Sequence, residues 1–155
     1  METVKLVALS ISFTVFAFFL FASYFKVGLT KSVSQIFYKI EEPIWFSLML
    51  WITAIPMFAF YQEGHWLIPI GVFCIAMVGG LPLYKKYPII HYIFAGVGIF
   101  SMLIGIWEQF GMLYPFAGYV AVGIPIILTK LWWKLYLMEI LAFLIIIVSL
   151  AFTVW

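Results

Sequence analysis

The sequence contains no arginine and no aspartate, and only 9% of its 155 residues are charged. Without a guanidinium fork there is no bidentate grip on phosphate or carboxylate. Eight lysines against six acidic residues leave a net charge of +2, too little for a nucleic-acid surface. Cysteine occurs once, as Cys74 inside an apolar run, which excludes a disulfide framework, a thiol pair and a cysteine-rich metal site. Histidine occurs twice, as His65 and His91. Nucleophilic hydrolysis needs a base beside its nucleophile, and membrane metallohydrolases gather several His or acidic ligands around their ion. The two histidines are predicted on opposite sides of a membrane, so a membrane lipid hydrolase is the least favoured class. No catalytic residue, metal or cofactor is expected.

What the sequence has in abundance is apolar surface: 67% hydrophobic residues and a mean hydropathy of +1.21. A soluble domain is roughly 45–50% apolar and about 25% charged, so this chain has too few polar side chains to cover a globule. The bilayer has to cover it, and the lipid bilayer is its first partner. A helix crosses the hydrocarbon core in about 20 residues, with a range of ~17–25. Six stretches qualify, at 4–25, 44–61, 66–84, 89–107, 112–128 and 135–155, the fifth only just. The reading is one all-α transmembrane domain over 1–155, a polytopic bundle of six helices. The apolar run 6–24 exceeds the ~7–15 residues of a signal-peptide core, so it reads as a retained first helix.

Lysine placement gives an orientation, because cytoplasmic loops carry the Lys excess. Lys26, Lys31 and Lys39 fall in the first loop, Lys85 and Lys86 in the third, Lys130 and Lys134 in the fifth, and only Lys5 lies on the other side. Both termini are therefore predicted on the non-cytoplasmic face. Tryptophans 45, 66, 107, 132, 133 and 155 fall near helix ends as an aromatic belt does, with Trp51 the exception. In the first loop, Ser32 with Gln35 forms a capping-box pattern, and Val33, Ile36, Phe37 and Ile40 follow at helical spacing. The pattern predicts a short amphipathic helix on the membrane surface, with Lys39 and the Glu41–Glu42 pair toward water; an ordinary connector is the alternative.

Ionisable residues within hydrocarbon are costly and so become functional candidates. Glu139 lies about five residues into the sixth helix, on a face continued by Ala142, Phe143, Ile146, Leu150 and Thr153. His91 opens the fourth helix in the same leaflet, on a stripe of Ala95, Gly98, Met102 and Gly105 whose small residues permit close packing. Two readings follow: Glu139 and His91 meet as a proton-linked or solute-binding pair, or Glu139 snorkels to Lys130 or Lys134 and His91 is interfacial. A second polar group, Glu63, His65 and Glu108, falls in the outer loops, where solvated loop residues are the favoured reading. Gly79-Gly80-Leu81-Pro82 and Pro115, Gly118, Gly123 and Pro125 are breakers, which either line a solute path or kink for packing.

One resemblance rests on Ser32-Val33-Ser34-Gln35-Ile36-Phe37-Tyr38, Trp45, Gly79-Gly80-Leu81-Pro82 and His91. Together these resemble small uncharacterised membrane proteins of phages and prophages of gut Bacteroidetes, over roughly residues 28–96. The resemblance implies a bacterial or phage setting, an inner-membrane location, and attention to Ser32, Ser34, Tyr38, Pro82 and His91. A weaker similarity is to ceramidase-like membrane hydrolases, whose sites combine Ser, Asp and several His on a metal. With no Asp and one His on the proper side, that activity does not carry over. The favoured function is binding or moving a small solute or ion through the bundle. The alternative is a membrane-embedded assembly protein acting as a homo-oligomer or with a membrane protein partner.

Overall fold

The computed structural model describes residues 2–80 and 88–154. Among them lie six α-helices and two 3₁₀ segments, with no strand. The order is α1 (Glu2–Val27), the 3₁₀ segment η1 (Val33–Tyr38), α2 (Ile44–Ala54) running on into η2 (Ile55–Phe60), α3 (Leu67–Gly80), α4 (Pro88–Phe110), α5 (Tyr114–Leu128) and α6 (Lys134–Phe152). Three stretches, α1, Ile89–Phe110 of α4, and α6, are long and apolar enough to cross a membrane. Ile44–Phe60, α3 and α5 are shorter apolar helices. Each expected helix is present with shifted ends. Pro82, Lys85, Lys86 and Trp155 lie outside the described residues.

Local chemistry sets several of these ends. Gly28 (φ 70°) and Gly111 (φ 67°) adopt the left-handed conformation. Their N–H groups return to Tyr24 and Trp107 carbonyls, stopping α1 and α4. Pro56 has no N–H to offer the preceding turn, and α2 tightens there into η2. Buried Ser12 of α1 donates to the Thr53 carbonyl just before this change, at 2.8 Å. Gly79 and Gly80 end the described part of α3, where the Gly79 carbonyl accepts from Ser47 and the Ala76 carbonyl from Trp51 Nε1. That bond explains the tryptophan which the aromatic belt left over.

The glycine stripe of α4 faces protein, as its spacing predicts. α3 and α4 are the most extensively packed pair, with Met102, Leu103 and Ile106 fully buried. A Cβ on Gly98 would meet Ile75 Cγ1 at 2.9 Å, and one on Gly71 would meet Met102 Cγ at 2.5 Å. Close approach maximises dispersion contact where lipid offers no hydrophobic drive between helices.

One expectation changes and one alternative is decided. The first loop does not carry an amphipathic surface helix: η1 is 3₁₀, and Val33 and Ile36 are buried at 3% and 1% exposure against the bundle. The capping box does not form either, because Gln35 Oε1 accepts from the Lys31 N–H and Ser32 Oγ engages Ser34 Oγ instead. The fifth helix is present as expected, and its breakers serve packing, the second of the two readings. Pro115 occupies its first turn, where a missing N–H costs nothing, and Pro125 is accommodated near its end. Gly123 serves packing, since a Cβ there would meet Met138 Cε at 2.6 Å.

Gly105→Ala is expected to lower the thermal midpoint in detergent, equivalent to about 1–3 kcal/mol of overpacking. Its new Cβ would lie 2.9 Å from Ile68 Cγ1 and 3.0 Å from the Ile68 backbone nitrogen. Gly96→Ala, with nothing within 4 Å, should be neutral or stabilising. Equal losses at both positions would refute this account of the α3–α4 contact.

Candidate functional site

Contacts among the connecting segments sort them into two groups. Lys26 Nζ pairs with Glu41 at 3.2 Å, and the Tyr136 N–H donates to the Lys31 carbonyl at 3.0 Å, joining the first loop to the start of α6. At the other end, Gln62 and Gln109 are bonded, His65 Nδ1 lies 3.9 Å from Glu108 Oε2, and Lys5 Nζ stands 5.7 Å from the centre of the Phe60 ring. Glu139 in the second turn of α6 and His91 in the first turn of α4 belong to the lysine-bearing end.

Glu139 does not snorkel to Lys134. That lysine caps α5, its Nζ donating to the carbonyls of Ile127 (2.9 Å) and Thr129 (3.4 Å). Among the described residues Glu139 forms no ion pair. Its Oε2 instead accepts the backbone N–H groups of Val33 and Ser34, the latter at 3.4 Å. The first N–H groups of a helical segment have no partner within it, and a carboxylate placed there answers both donors and the local dipole. The loop is stitched to present them: Thr30 Oγ1 donates to the Ser32 carbonyl at 2.6 Å, and Gln35 holds the Lys31 N–H. Neither described bond uses Glu139 Oε1.

Three cavities meet at these residues. The innermost, of about 40 Å³, is bounded by Val33, Ser34, His91 and Glu139 on one side and by Phe46, Ile75 and Phe143 on the other. A polar cleft of about 260 Å³ adjoins it through Ser34 and His91 and is lined further by Ser32, Gln35, Tyr38, Lys39 and Tyr92. A mainly apolar cleft of about 320 Å³ between α4, α5 and α6 reaches Glu139 from the side, past Tyr119, Gly123 and Met138. No protein-family model, curated protein or solved structure significantly matches the chain.

Glu139, His91, Ser34 and Tyr38 are thus brought together, while Pro82 lies outside the described residues. Burial, and then neighbouring Tyr92, raises the Tyr38 phenol above its ordinary pKa, so it stays a neutral donor at pH 7. The outer group does not converge to the same degree. Glu63 is exposed, and Gln109 holds the Phe60 carbonyl at the end of η2. Among the described residues, no three of His, Cys, Asp and Glu are placed to hold a metal ion. Sequence reasoning missed Lys39, Gln35 and Tyr92 as cleft residues, and it missed the two amides. The side-chain pattern at 32–35 points to a cap, and only the buried acceptor on α6 says which atoms need one.

Glu139→Leu should strip the acceptor from two half-buried amides, costing about 1–3 kcal/mol. Hydrogen exchange at residues 33–34 is expected to accelerate, while Glu139→Gln, which keeps a carbonyl oxygen, should shift exchange less. Unchanged protection in the leucine variant would show that η1 does not depend on Glu139.

Proposed function

We propose that the chain is a non-enzymatic, six-span membrane protein that binds a proton or a small monovalent cation at Glu139, reached from the cytoplasmic end past His91 and Ser34. The observation carrying this reading is that Glu139 and His91 border one cavity, joined through His91 and Ser34 to a polar cleft. Size selects the ligand. At about 40 Å³ the cavity has room for one or two waters, and the larger cleft that also reaches Glu139 is mainly apolar, with few groups to hold a polar organic solute. A single carboxylate also falls far short of the six to eight oxygens that calcium takes. The opposite half of the bundle is filled by Met57, Phe60, Met102, Leu103 and Ile106, so the path is one-sided in this conformation.

Lengths support six crossings. At ~1.5 Å per α residue and ~2.0 Å per 3₁₀ residue, Ile44–Phe60 reaches roughly 29 Å, against about 30 Å of hydrocarbon. The tightening at Pro56 supplies the last few ångströms. α5, with 15 residues, reaches only ~22 Å and the 14 described residues of α3 ~21 Å, shortfalls that local thinning of the bilayer accommodates. Lysines 26, 31, 39, 130 and 134 then share one face and Lys5 the other, which puts both termini outside. The bacterial or phage setting and the inner membrane rest on the sequence resemblance.

The assembly reading draws support from the same small interior and from the exposed phenylalanines 18, 21 and 25 of α1. Proton movement separates the two. In proteoliposomes, wild-type protein is expected to dissipate an imposed pH gradient and Glu139→Gln to lose that activity. A hydrophobic carbodiimide should label Glu139 and block it. A glutamine variant indistinguishable from wild type would refute the proton-linked version.

Topology has its own check. Cysteines replacing Glu63 and Glu108 should react with an impermeant maleimide on intact cells, and cysteines replacing Lys31 and Lys130 only after permeabilisation. The reverse pattern, or Lys31 and Lys130 on different sides, would overturn the six-span orientation.

A further inference from the structure

A further cleft lies between α1 and α2, with a volume of about 540 Å³. That is within the ~300–1,000 Å³ of small-ligand sites. Its walls are apolar, with Phe18, Phe19 and Ala22 on α1 and Leu48, Met49 and Ile52 on α2. Its mouth is not: Lys26, Glu41 and Glu42 converge there with Trp45. Lys26 bridges to Glu41 at 3.2 Å, and Trp45 Nε1 donates to Glu42 Oε2 at 2.8 Å, so both carboxylates are fixed at the rim.

We infer that this cleft binds one phospholipid with a primary-ammonium, phosphatidylethanolamine-type headgroup, one of its two acyl chains lying between α1 and α2. Length fits: from Lys26 to Thr14, twelve residues of helix span ~18 Å, close to one leaflet's half of the ~30 Å hydrocarbon. Charge selects the headgroup. Lys26 suits the phosphate, and the two carboxylates suit an ammonium with three N–H donors. A trimethylammonium headgroup has no N–H to give, and an anionic glycerol headgroup would meet a mouth of net negative charge. A partner helix would have to desolvate three charges to cover the same surface. The inference uses the membrane reading of α1 and α2 and is independent of the Glu139 site.

The test is lipid retention by the full-length protein, purified in mild detergent, exposed separately to dioleoyl phosphatidylethanolamine, phosphatidylcholine and phosphatidylglycerol, and read by native mass spectrometry. Phosphatidylethanolamine should be retained about tenfold better than either, the weight of one charge-assisted hydrogen bond. Glu41→Gln combined with Glu42→Gln should abolish that preference, and Ala22→Trp should lower retention of every lipid, with helix content checked by circular dichroism. Equal retention of the three lipids, no retention, or a preference surviving the double variant would overturn the proposal. So would a disulfide dimer of Phe18→Cys in a Cys74→Ser background, which would place a second copy over the cleft. Any of these with the maleimide pattern intact would refute the lipid site and leave the topology standing.

Discussion

Hydrocarbon offers no water to an unpaired N–H or C=O, so wherever a helix in this chain stops or tightens, something must take over its hydrogen bonds. The sequence has few polar side chains in or beside its apolar helices, and several are spent on this task. Ser12 meets the Thr53 carbonyl beside the Pro56 transition, and Ser47 and Trp51 meet carbonyls in the last turn of α3. Gln109 closes η2 and Lys134 closes α5, while Glu139 answers the first N–H groups of η1. Each bond joins one element to another, so satisfying the backbone also fixes how the helices sit against each other.

This accounting bears on function. A polar side chain committed to a helix end is not available to coordinate a solute, which removes Ser12, Ser47 and Gln109 from candidacy. Glu139 is committed through Oε2, neither described bond uses Oε1, and the residue borders the cavity that it shares with His91. The scaffold around it is rigid where rigidity is useful: the glycines of α3 and α4 lock those two helices together and hold His91 at the head of one of them. On the other side, Gly123 lets α5 approach Met138, one residue before Glu139.

Much of this was legible in the sequence. Long apolar runs separated by Lys, Glu, Pro and Gly gave the helices, because length and hydropathy are local properties. The stripe at Ala95, Gly98, Met102 and Gly105 gave the buried face of α4 by its spacing. The first loop was legible only as a segment with a pattern. Its apolar positions fit a surface helix as well as a buried turn, and the choice was made by Glu139, 105 residues away from Ser34. Pro125 left two readings open for a related reason: a proline announces a lost hydrogen bond, but not whether the neighbouring helices tolerate it. Glu139 and His91 could be paired by depth in the membrane, whereas the cleft residues Lys39 and Tyr92 depend on how η1 folds back.

The bond between Glu139 and η1 also constrains how the proposed site could work. A cation or proton taken up by Glu139 draws on the same carboxylate that the Val33 and Ser34 amides use, so binding and loop docking are linked through one group. Linkage is reciprocal: whatever weakens the amide bonds on occupancy must, by the same free energy, weaken occupancy when the loop is docked. Oε1 softens this competition, since a ligand held there leaves Oε2 to the amides. Full neutralisation of the carboxyl does not, because the amides then face an uncharged acceptor with about half the bond strength. Occupancy would therefore loosen η1, the segment that lines both the inner cavity and the polar cleft, and the ligand's own binding would bias the route by which it leaves.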